Sequence, residues 1–253
     1  MPGKSGLEKN EGFTGWSGTG QDGRRMTLTM AYVAASRLLL TKSFRDLSPE
    51  IIRDLERTFP YPTEPRSARP IDAFSHKGFP RVYDFAVTSD WHQVTLFNNT
   101  LPTKVETIAI PLAGEPVDGA LGLDPAAEYH VYDFWNDSYV GTVKGAGTLT
   151  QNLRPGEARM LSIRKVQKNP QVLSTNRHLM QGYCELSDVK WENNRLSGKA
   201  KVVANEPFKL TIALNGRTLV AAPDLTVSPD GKIAVLTLSR PANETIKWSI
   251  EFK

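Results

Sequence analysis

The spacing of hydrophobic and polar positions divides the chain into three textures. Residues 1–23 are polar and carry glycines at 3, 6, 12, 15, 18, 20 and 23, which predicts a flexible Gly-rich lead-in. From Met26 to Ser36 the run MTLTMAYVAAS holds no charge. At roughly 100° per residue, Met26, Met30 and Val33 fall on one side, Leu28, Ala35 and Leu39 on another, and Ala31, Ala34 and Leu38 on a third. A helix apolar on most faces is buried on most faces. A second helix is predicted with Ser48 as N-cap, Pro49 at its first position, and Ile51, Ile52, Leu55 and Phe59 as its apolar stripe. Pro60 ends it, and YPTEPRSARP has the proline density of a linker.

From about Pro80 the period switches to 2. Candidate strands are RVYDFAV (81–87), HQVTLFN (92–98), ETIAIPL (106–112), EYHVYDFW (128–135), SYVGTV (138–143) and ARMLSIRKV (158–166). After Pro170 a second β unit follows. Phe208, Leu210, Ile212 and Leu214 alternate with polar or small residues before an Asn-Gly turn, and Ile246, Trp248, Ile250 and Phe252 alternate likewise. Leu196, Gly198, Ala200 and Val202 share a face, and Asn193-Asn194 and Pro229-Asp230-Gly231 are turn signals. One face buried and one wet is the pattern of an antiparallel sandwich. The expected order is therefore a lead-in (1–23), a helical segment (24–60), a linker (61–79) and two antiparallel β-sandwich domains (80–168 and 169–253), mainly β overall.

Composition narrows the classes. Hydrophobic residues make up 40% and charged residues 23%, with a net charge of +4, which is ordinary globular usage. Lys and Arg are interspersed with acids, so a solvated surface is expected rather than nucleic-acid binding. The one cysteine, Cys184, excludes an internal disulfide framework and a cysteine-rich zinc module. No apolar run approaches the roughly 20 residues that span a bilayer, so no membrane helix is expected. The opening MPGKSGLEKNEGF has no apolar h-region, so no secretory signal is visible and localisation is left open.

Candidate chemistry is sparse. Gly18 to Gly23 form a G-x-G-x-x-G, but EGFTGWS before it is no strand and a second helix follows. A dinucleotide site needs a βαβ unit there, so a glycine loop capped by Asp22 is expected, and no cofactor. His76, His92, His130 and His178 lack metal-ligand spacing. No G-x-S-x-G elbow occurs. Glycoside hydrolysis needs paired carboxylates. Asp90 and Asp137 fall at predicted turns, while Asp84 and Asp133 lie inside aromatic strands, where a carboxylate is expected to be fixed by backbone or Arg hydrogen bonds. Tyr83, Phe85, Trp91, Phe97, Tyr129, Tyr132, Phe134, Trp135 and Tyr139 are expected mostly in the core, although exposed rings of this kind stack on sugars.

Two stretches carry a family resemblance. One is DGRRMTLTMAYVAASRLLLTKSFRDLSPEIIRDLERTFPYP, with ARPIDAF and FPRVYDF beyond it. The other is YHVYDFWNDSYVG, then LRPGEARMLSIRK and PQVLSTNRHLMQGYCELSDVKW. Together they resemble the C-terminal part of bacterial melibiase-type, alpha-galactosidase-like glycoside hydrolases, from about Gly12 to Phe252. The resemblance implies that the two helices are the remnant of a (β/α)8 barrel, residues 24–40 being its last helix. The family's nucleophile and acid/base are aspartates on central barrel strands, and no position of this chain matches either. A full barrel needs about 250 residues, so catalytic residues are expected to be none. The segment GWSGTGQDGRR would lie near the barrel mouth, which makes Trp16, Asp22 and Arg25 the candidate sugar-binding residues of the complete enzyme.

The sequence is thus read as the accessory β-sandwich portion of a glycoside hydrolase, inactive alone. The alternative is a stand-alone carbohydrate-binding or adhesion module whose helices cap the sandwich. A third reading, an active site at Asp84 and Asp133, requires those carboxyls to face an open cleft. Expected partners are a glycan, and either the barrel segment or a second copy docked through residues 26–40. Nucleic acid and membrane are not expected.

Overall fold

The computed structural model describes residues 20–36, 38, 43–60, 62, 66–99, 104–220 and 222–253. These are mainly β, with two α-helices and four sheets in which every strand pairing is antiparallel.

Helix α1 spans Gly20–Val33 and α2 spans Pro49–Glu56. The uncharged run behaves as its periodicity demands: Met26, Leu28, Thr29, Ala31, Tyr32 and Val33 are buried. Met30 sits at the edge, 36% exposed. Two boundaries differ from expectation. The helix takes in Gly20 to Gly23, which the glycine content had placed in the lead-in. It also stops at Val33 rather than running to 40, because Ala35 turns left-handed (φ 48°) and the Ser36 N–H closes back on the Ala31 carbonyl. In α2, Pro49 holds the first position after Ser48, and Ile51 and Leu55 are buried. Phe59 lies past its end and is exposed.

The largest sheet runs, in spatial order, β1 (Arg69–Pro70), β2 (Val82–Thr88), β3 (Trp91–Phe97), β8 (Ala158–Lys165), β5 (Glu128–Asp133) and β6 (Ser138–Lys144). Strand β1 falls within the expected linker 61–79; its Arg69 stands opposite Asp84 of β2. Both faces of this sheet are covered. On one, Phe85, Phe97, Phe134, Trp135 and Met160 pack against Met26, Leu28 and Tyr32 of α1 and Ile51 and Leu55 of α2. On the other, Val94, Leu96, Val131, Leu161 and Ile163 pack against Ile108, Ile110, Leu149 and Leu153 of the pair β4 (Glu106–Pro111) and β7 (Thr148–Leu153).

A third core lies between two further sheets. One is ordered β13 (Leu225–Val227), β14 (Ile233–Leu238), β12 (Phe208–Ala213) and β9 (Gln171–Thr175). The other is β10 (Leu186–Glu192), β11 (Arg195–Val202) and β15 (Glu244–Glu251). Phe208, Leu210 and Ile212 from the first meet Leu196, Ala200, Ile246, Trp248 and Ile250 from the second. At Gly198, opposite Trp248 in the ladder, a Cβ would come within 2.8 Å of the indole. The glycine is what lets that ring lie across the strand.

The connector from β9 to β10, residues 176–185, is buried over most of its length and ties the units together. The Leu179 N–H donates to the Arg57 carbonyl, and Gln93 Nε2 donates to the Met180 carbonyl. Gln181 Nε2 donates to Gln93 Oε1, and Arg164 Nη2 to the Gln181 carbonyl. No helix among the described residues is long and apolar enough to cross a membrane.

Candidate functional site

Helix α2 brings an arginine to the seam where the two β units meet. Arg57, just past its end, donates through Nε to the Asn176 carbonyl at 3.1 Å and through Nη2 to the Phe134 carbonyl at 2.7 Å. Both terminal nitrogens also engage the Asp137 carboxylate, at 3.2 and 2.7 Å. Its guanidinium carbon lies 4.1 Å from the Phe134 ring centroid. Burial pulls the Arg57 pKa down and Asp137 opposes that shift. One side chain thereby joins α2, the β5–β6 turn and the end of β9.

Beyond Arg57 opens a cleft of about 720 Å³. Its floor is the outer face of the four-stranded sheet: Lys209 and Thr211 of β12, Thr226 of β13, and Val235 and Thr237 of β14. These side chains alternate with the core residues Phe208, Leu210, Ala234 and Leu236, so strand periodicity places them together. One wall is α2, with Arg53 and Glu56; the other carries the ion pair between Arg177 and Glu206. Tyr132 closes one end, with its hydroxyl bonded to Thr211 and its pKa raised by burial. The cleft thus offers hydroxyls that donate and accept, guanidinium and ammonium donors, and carboxylate acceptors.

The sequence-expected site residues lie elsewhere. Trp16 is outside the described residues. Asp22, in the first turn of α1, accepts from Arg154 Nε and Nη2 at 2.9 and 2.8 Å. Arg25 donates through Nε to Asp54 at 3.1 Å and through Nη1 to the Trp135 carbonyl at 3.1 Å, with its guanidinium 5.0 Å from the Trp135 ring centroid. Asp22 and Arg25 are therefore engaged with different partners.

The two strand carboxylates are fixed internally, as their aromatic context predicts. Asp84 is 3% exposed, accepts from Arg69 Nη2 at 3.0 Å and meets His92 Nδ1 at 2.8 Å. Asp133 is 1% exposed, accepts from Asn136 Nδ2 at 2.7 Å and faces Arg159, while burial raises its pKa. Neither lines the cleft. Two further imidazoles are paired as well: His130 with Tyr139 and Asn215, and His178 with Tyr32 and the Met180 N–H. Among the described residues no cluster of three or more His, Cys, Asp or Glu is placed to hold a metal ion.

Sequence reading did not single out Arg53, Arg57, Arg177, Glu206 or Lys209. Each is an ordinary surface-type residue in its own segment, and what makes them a site is the meeting of residues far apart in the chain. The one available signal is the alternation of β12 and β14, which puts Lys209, Thr211, Val235 and Thr237 on the face away from the core. A scan of protein-family models and a search of curated proteins return no match to this chain.

Proposed function

We propose that this chain is a non-catalytic, carbohydrate-binding unit of the kind that follows the barrel in melibiase-type glycoside hydrolases. Its fold is read as two antiparallel β-sandwiches, with α1 and α2 capping the first, and its glycan site as the cleft over β12 and β14. The observation that carries this is the cleft's chemistry. Thr226 and Thr237 hydroxyls lie beside Arg53, Glu56 and Lys209 on one open surface, and sugar hydroxyls need donors and acceptors side by side. The alpha-galactosidase-like relationship rests on the sequence resemblance.

The packing of α1 favours the self-contained form of this reading. Met26, Leu28 and Tyr32 lie on the chain's own sheet, so docking of a barrel or a second copy through residues 26–40 would require that helix to leave it. Hydrolysis is not expected. A glycosidase needs two carboxyl groups about 5–10 Å apart, one of them able to give a proton. In the cleft, both oxygens of Asp137 accept from Arg57, and Glu206 pairs with Arg177. Glu56 is left without an opposing group of the right kind.

Calorimetric titration of the full chain with alpha-galactosides and other neutral oligosaccharides tests the reading. Binding that is lost on Thr226→Val together with Thr237→Val is the expected result. Absence of binding to a broad glycan panel overturns it, and so does turnover of aryl glycosides that vanishes on Glu56→Gln or Asp137→Asn.

A further inference from the structure

A second, narrower pocket lies where β3 and β8 meet the start of β10, away from the cleft and independent of any glycan bound there. It has a volume of about 250 Å³ and is walled by Trp91, Tyr183 and Arg164, with Asp188 and Val189 at its rim. That is below the roughly 300–1,000 Å³ of sites for larger ligands, so it has room for one small molecule.

Its distinguishing group is the Arg164 guanidinium, which lies 3.6 Å from the Trp91 ring centroid. Nε donates to Ser162 Oγ at 3.2 Å and Nη2 to the Gln181 carbonyl at 3.0 Å. Both acceptors are neutral, and Nη1 has no hydrogen-bond partner among the described residues. Among the described residues no carboxylate forms an ion pair with it. Glu185 acts only through space, and Asp188 is taken by Lys199 Nζ at 2.7 Å. Burial lowers the Arg164 pKa to about 9, so the group remains a cation at neutral pH.

A half-buried cation without a counter-ion is unfavourable, and a bound anion relieves that cost. Local backbone keeps the approach open. Gly182 has φ +107°, and a Cβ there would stand 3.5 Å from Arg164 Nη2 and 3.1 Å from Leu186 Cδ1. In β10 the register shifts between Ser187 and Lys190, with Asp188 left-handed at φ 54°, and this bulge carries Asp188 and Val189 to the rim.

We propose that this pocket binds a small carboxylate, up to the size of a single hexuronate, with Arg164 as the residue that holds the anion. Guanidinium geometry suits a carboxylate, and the Trp91 and Tyr183 rings supply apolar walls for the body of the acid. Glu185 of the connector acts on Arg164 through space, and Asp188 of β10 shares the pocket while paired to Lys199 of β11; Arg177 and Cys184 of the connector lie in the field of Glu185, and Lys201 of β11 in that of Cys184. Glu185 is pushed by burial up to about 7 and Cys184 up to about 12. Ionised Glu185 competes with a ligand for the Arg164 field, so affinity falls as pH rises from 6 to 8.

The test is titration of the full chain with acetate, glucuronate and glucose at pH 6 and pH 8, read by calorimetry or by NMR. Glucuronate is expected to bind and glucose not to. Acetate binding alongside glucuronate identifies a free carboxylate as sufficient, whereas glucuronate alone identifies the sugar acid. Val189→Glu puts a carboxylate on an exposed rim position without touching the hydrogen bonds of Arg164, and should weaken binding at least tenfold. Arg164→Gln should abolish it, and Glu185→Gln should bind equally at both pH values. Glucose binding as tightly as glucuronate, or unaltered binding in Val189→Glu, overturns the proposal even if Arg164→Gln does not fold.

Discussion

Asp54 is 1% exposed and accepts from Arg24 Nε at 2.8 Å and from Arg25 Nε at 3.1 Å. Arg24 is itself buried, with 5% of its side chain exposed. A buried ion pair contributes little net stability, because desolvation offsets the attraction, yet removing one partner strands the other. Asp54→Ala is therefore expected to destabilise by about 3–5 kcal/mol, measured as a lower urea midpoint at unchanged slope. Asp22→Ala removes an ion pair whose Arg154 side chain is 59% exposed; it should cost about 1 kcal/mol or less. Equal losses in the two variants would contradict the contrast. At this scale the sequence shows which carboxylates are structural when they sit inside aromatic strands, as Asp84 and Asp133 do. It does not show Asp54, whose partners lie about thirty residues upstream on another helix.

Helix α1 is where the elements of the first unit are locked. Leu28 is 0% exposed in the core it shares with Phe85, Phe134 and Met160, and Trp135 Nε1 donates to Thr29 Oγ1 at 2.8 Å. Leu28→Ala should cost about 2–5 kcal/mol, whereas Met30→Gln, at the exposed edge, should change stability by about 0.5 kcal/mol or less. Hydrogen exchange supplies an independent check: amides of Met26 to Val33 should be as protected as those of β3 and β8. Rapid exchange there would mean that the helix is not an integral part of this unit. The helix itself was legible, because an uncharged run with apolar residues on three sides must be buried. Its ends were not, since Gly20 to Gly23 have turn chemistry yet occupy its first turn, and a left-handed Ala35 has no local signature. Among strands, β15 follows its alternation closely, whereas β5 and most of β12 are buried on both faces. Strand β7, TLTQNL, and strand β1, an Arg-Pro pair, are too polar or too short to announce themselves, and exist because β4 and β2 offer them an edge.

At the scale of the whole molecule, the connector between β9 and β10 joins both β units and both helices, and it carries two buried groups that respond to pH in opposite senses. His178 accepts the Met180 N–H at Nδ1 and faces Tyr32 Oη at Nε2, an arrangement suited to the neutral ring. Burial lowers its pKa to about 3 from 6.5. Its stabilising contribution is complete above pH 6.5 and is lost as pH falls through about 3. Glu185 accepts from Thr175 Oγ1 and from the Gly182 N–H at 2.9 Å, while its other oxygen is buried without a partner. Burial raises its pKa from 4.5 to about 7. Its contribution is complete below pH 4.5 and is lost as pH rises through about 7. Each such group changes stability by about 1.4 kcal/mol per pH unit within its window. Between pH 4.5 and 6.5 the two slopes cancel, so this pair leaves stability flat there. Glu185→Gln keeps an acceptor for Thr175 and Gly182 but removes one slope. Its stability relative to the unmodified protein should therefore grow from pH 4.5 to pH 7, by on the order of 3 kcal/mol. Other titrating groups, including the raised Asp133, are common to both proteins and drop out of that difference. Denaturant midpoints measured in parallel across this range give the result directly, and a constant offset between the two profiles would show that the Glu185 carboxyl titrates alike in the folded and unfolded protein.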